Sequence, residues 1–244
     1  MRLVLASGGV RTEERRRVLL AAMRDLFGGA TRILFIPWAV ADHDRSLAVM
    51  RARDEEAGYA LAGIHESGDP VAAVREAEGL MVGGGNTFRL LRDLYAHGVL
   101  DPIRERVRGG MPYLGISAGT NVACPTIRTT NDMPITSPPS MEALGLVPFQ
   151  INPHFVAGPS FVVDAEGRLG QHFGETREER IAEFHEEHAT PVVGLWEGSL
   201  LRVEDGGVTL GGGSARLFRR GEPPLDLAPG VTLPLDHAGV AGPP

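Results

Sequence analysis

The chain reads as an α/β protein built on a doubly wound, mostly parallel sheet, with a small antiparallel piece near its C-terminus. Three observations lead there. Short continuous apolar runs such as Ile33-Leu34-Phe35-Ile36 and Leu80-Met81-Val82 have the length and all-round apolarity of strands covered on both faces. Amphipathic stretches of helical length alternate with them. Glycine-rich turns at Gly83-Gly84-Gly85-Asn86 and Gly115-Ile116-Ser117-Ala118-Gly119 lie beyond strand ends, where open parallel sheets bind their ligands.

Taken in order, Arg2 to Ser7 alternates toward a buried strand that Gly8-Gly9 breaks. Thr12-Glu13-Glu14 opens a helix carrying Val18, Leu19, Leu20, Ala22, Met23 and Leu26, and Gly28-Gly29 stops it. The strand Ile33 to Ile36 ends at Pro37. Asp42 to Glu56 is a charged helix, Tyr59 to Ile64 a strand, and Pro70 to Ala77 a helix with proline at its start. After the strand Leu80 to Val82, Thr87 to Tyr95 is helical through Phe88, Leu90, Leu91 and Leu94. Asp101-Pro102 opens the next helix, which ends at Gly109-Gly110. Met111-Pro112-Tyr113-Leu114 is a strand end feeding the second glycine turn, and Thr120 to Cys124 reads as the first turns of a helix.

The second half is less regular. Pro125 to Pro139 is a polar, proline-broken loop, Val147 to Ile151 a strand ending at Asn152-Pro153-His154-Phe155, and 156–173 a loop of little periodicity. Glu178 to His188 is helical, and Val192 to Leu195 is a strand ending at Trp196-Glu197-Gly198. Short strands at Leu200 to Val203, Val208 to Leu210 and Ala215 to Phe218 form the antiparallel piece. One domain is expected over 1–222, and 223–244 is a Pro- and Gly-rich tail with loose last residues.

With 244 residues, 43% of them hydrophobic, the chain can bury a full core. A net charge of −7 without a basic run argues against nucleic-acid binding. The apolar opening is too short for a signal peptide, and no run approaches the roughly 18 residues that span a bilayer. A single cysteine, Cys124, excludes an internal disulfide and suits a reducing cytoplasm; two turns past the serine, it reads as a packed hydrophobe.

Ser117, pinched between small residues at a strand-to-helix turn, has the pattern of a nucleophile elbow, in which the hydroxyl stands free above the sheet edge. A plain tight turn is the competing reading. A serine needs a base, and the base needs a group to hold it. Of eight histidines, His43, His65 and His97 fall in polar stretches and read as solvated, while His172 and His237 lie in flexible-looking segments. His185 and His188 lack the i,i+4 spacing of a zinc helix. His154 follows a strand, behind Asn152-Pro153, and is the candidate base. Glu197, also at a strand end, is the candidate acid, with Asp132 its rival. The order Ser, His, acid differs from that of α/β-hydrolases. A tetrahedral intermediate needs N–H donors, which Ala118 and Gly85 would supply. The Gly83 to Gly85 run lacks the spacing and the lysine of a phosphate cradle.

Gly83-Gly84-Gly85-Asn86-Thr87-Phe88, Ser117-Ala118-Gly119 and the thirteen residues Ala123 to Ile135 resemble the peptidase E (α-aspartyl dipeptidase) family of serine peptidases. Gln150 to Phe155, Gly174 to Arg177 and Gly194 to Gly198 continue the likeness in order, so that it spans about residues 3 to 220. The resemblance implies a fold akin to the class I glutamine amidotransferases, cleavage of dipeptides with N-terminal aspartate, no metal or other cofactor, and a homodimer. It implies Ser117 as nucleophile, His154 as base, Glu197 as the residue orienting it, and Gly85 and Ala118 as the oxyanion hole. Recognition of aspartate calls for an arginine able to make two parallel hydrogen bonds, first Arg177 and then Arg128. Asp132 would take the substrate's α-ammonium, and Asn86 joins these as a substrate-binding candidate. Two departures from the family pattern are a longer loop between Phe155 and Gly174 and Trp196 in place of a proline. A relative with other specificity, a carboxypeptidase or a hydrolase of aspartate polymer, is the alternative.

Overall fold

The computed structural model describes residues 1–9, 11–54, 58–159, 161–163, 165–171 and 173–235. Five parallel strands form its centre: β1 (Arg2–Ala6), β2 (Arg32–Ile36), β3 (Ala60–Gly63), β4 (Gly79–Val82) and β5 (Tyr113–Ile116). They stand in the order β1-β5-β4-β2-β3. The intervening helices are α1 (Glu13–Phe27), α2 (His43–Asp54), α3 (Pro70–Glu76), α4 (Thr87–Ala96) and α5 (Leu100–Arg108). Side chains alternate across the strands, so one face of β1 (Val4, Ala6) packs with Leu19, Met23 and Leu26 of α1. The other face (Leu3, Leu5) packs with Leu90 and Leu91 of α4 and Ile103 of α5. Helices on both faces are why the strand sequences are apolar throughout.

Capping follows the expected chemistry. The Thr12 side chain accepts from Arg15 N–H at the start of α1, and Gly28 ends it at φ 53°. Asn86 accepts from Arg89 N–H at the start of α4.

A second sheet carries the later strands β6 (Gln150–Asn152), β9 (Val192–Leu195), β12 (Ala215–Phe218) and β13 (Leu225–Leu227), in the order β13-β12-β9-β6, with β6 and β9 parallel. Helix α6 (Ala118–Asn121) follows β5, and α7 (Arg177–Glu187) precedes β9. The carboxyl ends of β6 and β9 therefore come to the same rim as those of β1 and β5.

Several expectations are corrected. The strand expected from Val147 begins at Gln150, because Pro148 has no N–H for a ladder; Val147 and Phe149 are buried without pairing. The helix after the elbow is a single turn. The 156–173 loop holds a two-stranded hairpin, β7 (Phe161–Val163) and β8 (Leu169–Gln171), whose six residues are all exposed and so carry no alternation to read. The antiparallel piece is split: β10 (Leu200–Glu204) and β11 (Gly207–Gly211) extend the main sheet beside β1, whereas β12 joins the other sheet. The tail expected from 223 is partly built in, since β13 pairs with β12 and Leu227, Leu233 and Leu235 are buried. His172, His237 and residues 55–57, where the second helix was expected to end, lie outside the described residues. Of the histidines read as solvated, His65 is mostly covered and bonds Asp44 at 3.1 Å, and His97 is exposed and stacks on Trp38.

Candidate active site

Ser117 sits between β5 and α6 at φ 53°, a backbone region that side-chain-bearing residues avoid and that costs roughly 1–3 kcal/mol. The flanking glycines make the turn feasible. A Cβ on Gly119 would stand 2.1 Å from the Val82 carbonyl oxygen, and one on Gly115 would stand 2.5 Å from that of Gly119. Tyr113 locks the same turn by donating its hydroxyl to Gly119 O at 2.6 Å. The Ser117 amide donates to Ala6 O at 2.9 Å, and Thr120 Oγ1 donates to the same carbonyl at 2.8 Å. The elbow is thus tied to the end of β1.

His154 follows β6, also at positive φ (55°). Its Nε2 lies 2.8 Å from Ser117 Oγ, and its Nδ1 lies 2.6 Å from Glu197 Oε1. An ionised carboxylate only accepts, so Nδ1 carries the ring proton and Nε2 is left to accept the serine hydroxyl. The imidazole and the carboxylate are each a little over one-third exposed, so the pair is open to an incoming molecule.

Glu197 is presented by β9, and the residues beside base and acid pack together. Phe155 meets Trp196 edge-on with centroids 4.6 Å apart, and Phe155 N–H donates to Leu195 O at 2.9 Å. Trp196, beside the acid, therefore packs on Phe155, beside the base, with the Arg216 guanidinium over its ring at 5.7 Å.

The rival acid is engaged elsewhere. Asp132 Oδ2 accepts from Thr87 N–H at 2.7 Å, Thr87 Oγ1 at 2.5 Å and Thr130 Oγ1 at 3.1 Å. It caps α4, where a negative charge is favoured. Asn86 adds a second tie by donating Nδ2 to Met133 O at 2.9 Å.

Gly84 runs beside the serine: its Cβ would be 3.2 Å from Ser117 Cβ. Gly85 follows at φ 139°, packed so closely on Ala39 that a Cβ would meet its carbonyl oxygen at 2.5 Å. Among the described residues neither the Gly85 nor the Ala118 amide donates a hydrogen bond.

Arg177 opens α7. Burial, with Arg180 nearby, lowers its pKa, and among the described residues no anion pairs with it. Its neighbour Glu178 accepts from Gly158 N–H at 2.9 Å, which brings the start of this helix against the chain four residues beyond His154. Arg128 is exposed, on the loop that Thr129 Oγ1 fastens to Ile151 O at 2.9 Å. Cys124 is fully buried, and burial pushes its thiol up to about 12. Among the described residues no cluster of His, Cys, Asp and Glu forms a metal site, and no helix is long and apolar enough to cross a membrane.

Sequence reasoning overlooked Ser7-Gly8-Gly9, read only as a strand break. A Cβ on Gly8 would lie 2.9 Å from His154 Cε1, and one on Gly9 would lie 1.4 Å from Glu197 Oε2. Both glycines have positive φ. The available signal was the position of this run: it follows a strand, as the other two glycine turns do.

Known proteins resemble this chain over most of its length. The model for "Peptidase family S51" matches residues 3–211. A "Peptidase E" of Streptomyces coelicolor is 50% identical over 237 residues, covering 96% of this chain and 93% of its own. A "Probable alpha-aspartyl dipeptidase" of Drosophila melanogaster is 47% identical over 211 residues, covering 85% of each. Among solved structures, a peptidase from an acI-B1 Actinobacterium superposes with a TM-score of 0.67 at 17% identity, covering 95% of this chain and 96% of its own. A putative peptidase E from Listeria monocytogenes gives 0.61 at 20%, covering 93% and 98%. The fold is the class I glutamine amidotransferase-like one expected from the sequence. The chain belongs to peptidase family S51.

Proposed function

We propose that this protein is a serine dipeptidase that hydrolyses dipeptides with an N-terminal aspartate. The observation that carries the reading is the unbroken chain Ser117 Oγ, His154 Nε2, His154 Nδ1, Glu197 Oε1, with links of 2.8 and 2.6 Å. Ser117 attacks the carbonyl carbon of the Asp-X bond while His154 Nε2 takes its proton. The Gly85 and Ala118 amides receive the oxyanion, and Glu197 stabilises the imidazolium as it forms. The tetrahedral adduct collapses, His154 returns the proton to the departing amine, and an aspartyl ester remains on Ser117. Water, activated by His154, then releases aspartate.

Specificity is assigned to Arg177 for the substrate side-chain carboxylate, with Arg128 second. A partly desolvated guanidinium with no anion beside it gains most when a carboxylate arrives. Asp132 is assigned to the α-ammonium, with Asn86 alongside. We take the working form to be a homodimer, on the family likeness. A sedimentation mass near that of one 26.1 kDa chain contradicts this.

The test is hydrolysis of Asp-Leu compared with Glu-Leu, Ala-Leu and N-acetyl-Asp-Leu, by wild type and by Ser117→Ala. Wild type is expected to prefer Asp-Leu and to reject the acetylated peptide. Ser117→Ala is expected to lose about 10⁴-fold or more in kcat. A folded Ser117→Ala with wild-type turnover removes the mechanism. A preference for peptides longer than two residues moves the reading to the carboxypeptidase or aspartate-polymer alternative.

A further inference from the structure

The end of β1 reaches the backbone of two proposed triad members and of the residue that follows the third. Ala6 O accepts the Ser117 amide at 2.9 Å. Ser7 Oγ accepts the His154 amide at 2.8 Å and donates its own proton to Leu195 O at 3.0 Å. Gly8 O accepts the amide of Gly198, the residue after Glu197, at 2.9 Å.

Of Ala6, Ser7 and Gly8, Ser7 is the one that makes these bonds through its side chain. It is completely buried, and its single hydroxyl meets one donor and one acceptor. The donor belongs to the base, and the acceptor belongs to the strand that presents the acid. Leu195 O also takes Phe155 N–H, so the amides on either side of the His154 Cα–C unit are both anchored to the Ser7–Leu195 pair. Those ties hold His154 at φ 55°, a conformation the residue does not prefer and keeps only where its surroundings impose it. Serine suits the place because it donates and accepts through one small atom.

We propose that Ser7 is a positioning residue for the reaction: by bridging the His154 amide to the Leu195 carbonyl, it holds the imidazole in line between Ser117 and Glu197. It touches no substrate and moves no proton in the reaction. Without the hydroxyl, the His154 amide and the Leu195 carbonyl each lose a partner, and the peptide before His154 is free to relax toward ordinary φ. That rotation carries Nε2 away from Ser117 Oγ. Loss of alignment by about 1 Å costs on the order of 100-fold in rate.

This inference rests on the proposed triad, and the two fail separately. If Ser117→Ala keeps activity, the triad itself is wrong; if Ser117→Ala is inactive but Ser7→Ala behaves as wild type, only the role of Ser7 is wrong. The experiment measures kcat and KM for Asp-Leu in Ser7→Ala and Ser7→Thr, with the folded fraction determined by circular dichroism. It also records the far-downfield proton resonance of the His154–Glu197 hydrogen bond. Expected for Ser7→Ala are a roughly 10- to 100-fold fall in kcat per folded molecule, KM within about threefold, and loss or broadening of the resonance. Ser7→Thr, which restores the hydroxyl, recovers part of both. The proposal is overturned by a kcat within about twofold of wild type, by loss only in proportion to unfolded protein, by an unmoved resonance, or by Ser7→Thr no better than Ser7→Ala.

Discussion

The residues on either side of His154 lead into opposite kinds of structure. On one side β6 enters a rim where Ala6, Ser7, Gly8, Leu195 and Gly198 exchange short, largely backbone hydrogen bonds and two glycines leave room for the base and acid. On the other side the chain runs out into the β7–β8 hairpin, where Phe161 is 61% and Leu169 72% exposed. An isolated two-stranded hairpin is marginal in water. The contrast separates two kinds of constraint: alignment of the reacting groups depends on the ends of β1, β5, β6 and β9, and β7 and β8 pair with each other rather than with those strands. Changes at the rim should therefore act on kcat, and changes in the hairpin should act on access and KM.

The largest predicted effect outside the three reacting side chains is at Gly9. Gly9→Ala places a methyl where Glu197 Oε2 now lies, so the carboxylate must leave Nδ1. We expect kcat for Asp-Leu to fall by about 100-fold or more while the protein still folds. Turnover equal to wild type would show that the acid is not held there.

Replacing 159–173 by a short Gly-Ser linker sharpens the other half of the comparison. It is expected to leave kcat within about threefold and to change KM several-fold, with little change in melting temperature. A collapse of kcat would make the hairpin part of the catalytic frame.

The smallest effect concerns Cys124. Because burial raises its thiol to about 12, deprotonation is disfavoured at ordinary pH. Iodoacetamide should leave the native protein unmodified and active at pH 8, and should label the same residue fully in denaturant. Rapid native labelling contradicts the packing described for it.

Much of this arrangement was legible where burial and glycine punctuation coincide. β2 and β4 were readable because both of their faces are covered. Ser117 stood out because its turn needs small neighbours on both sides, and Glu197 because it follows a buried strand. Ser7-Gly8-Gly9 was not legible: its value comes from the strand order that sets β1 beside β5 and brings β6 and β9 to the same rim, a tertiary fact that no local pattern carries. The hairpin was missed because consecutive exposed Phe161, Val162 and Val163 show no period-2 signal. β13 was missed because Pro- and Gly-rich flanks disguised three residues whose pairing depends on β12.

The choice between the two carboxylates bears most directly on the whole account. Asp132 is occupied in capping α4, while Glu197 alone of the two contacts the base. Measured side by side on Asp-Leu, Glu197→Gln is predicted to lower kcat by roughly 10²- to 10⁴-fold with KM little changed. Asp132→Asn is predicted to act chiefly on KM and on stability, by about 0.5–2 kcal/mol. If instead Glu197→Gln turns over like wild type and Asp132→Asn does not, the acid has been misassigned, and the rim built on β1 and β9 is not what orients His154.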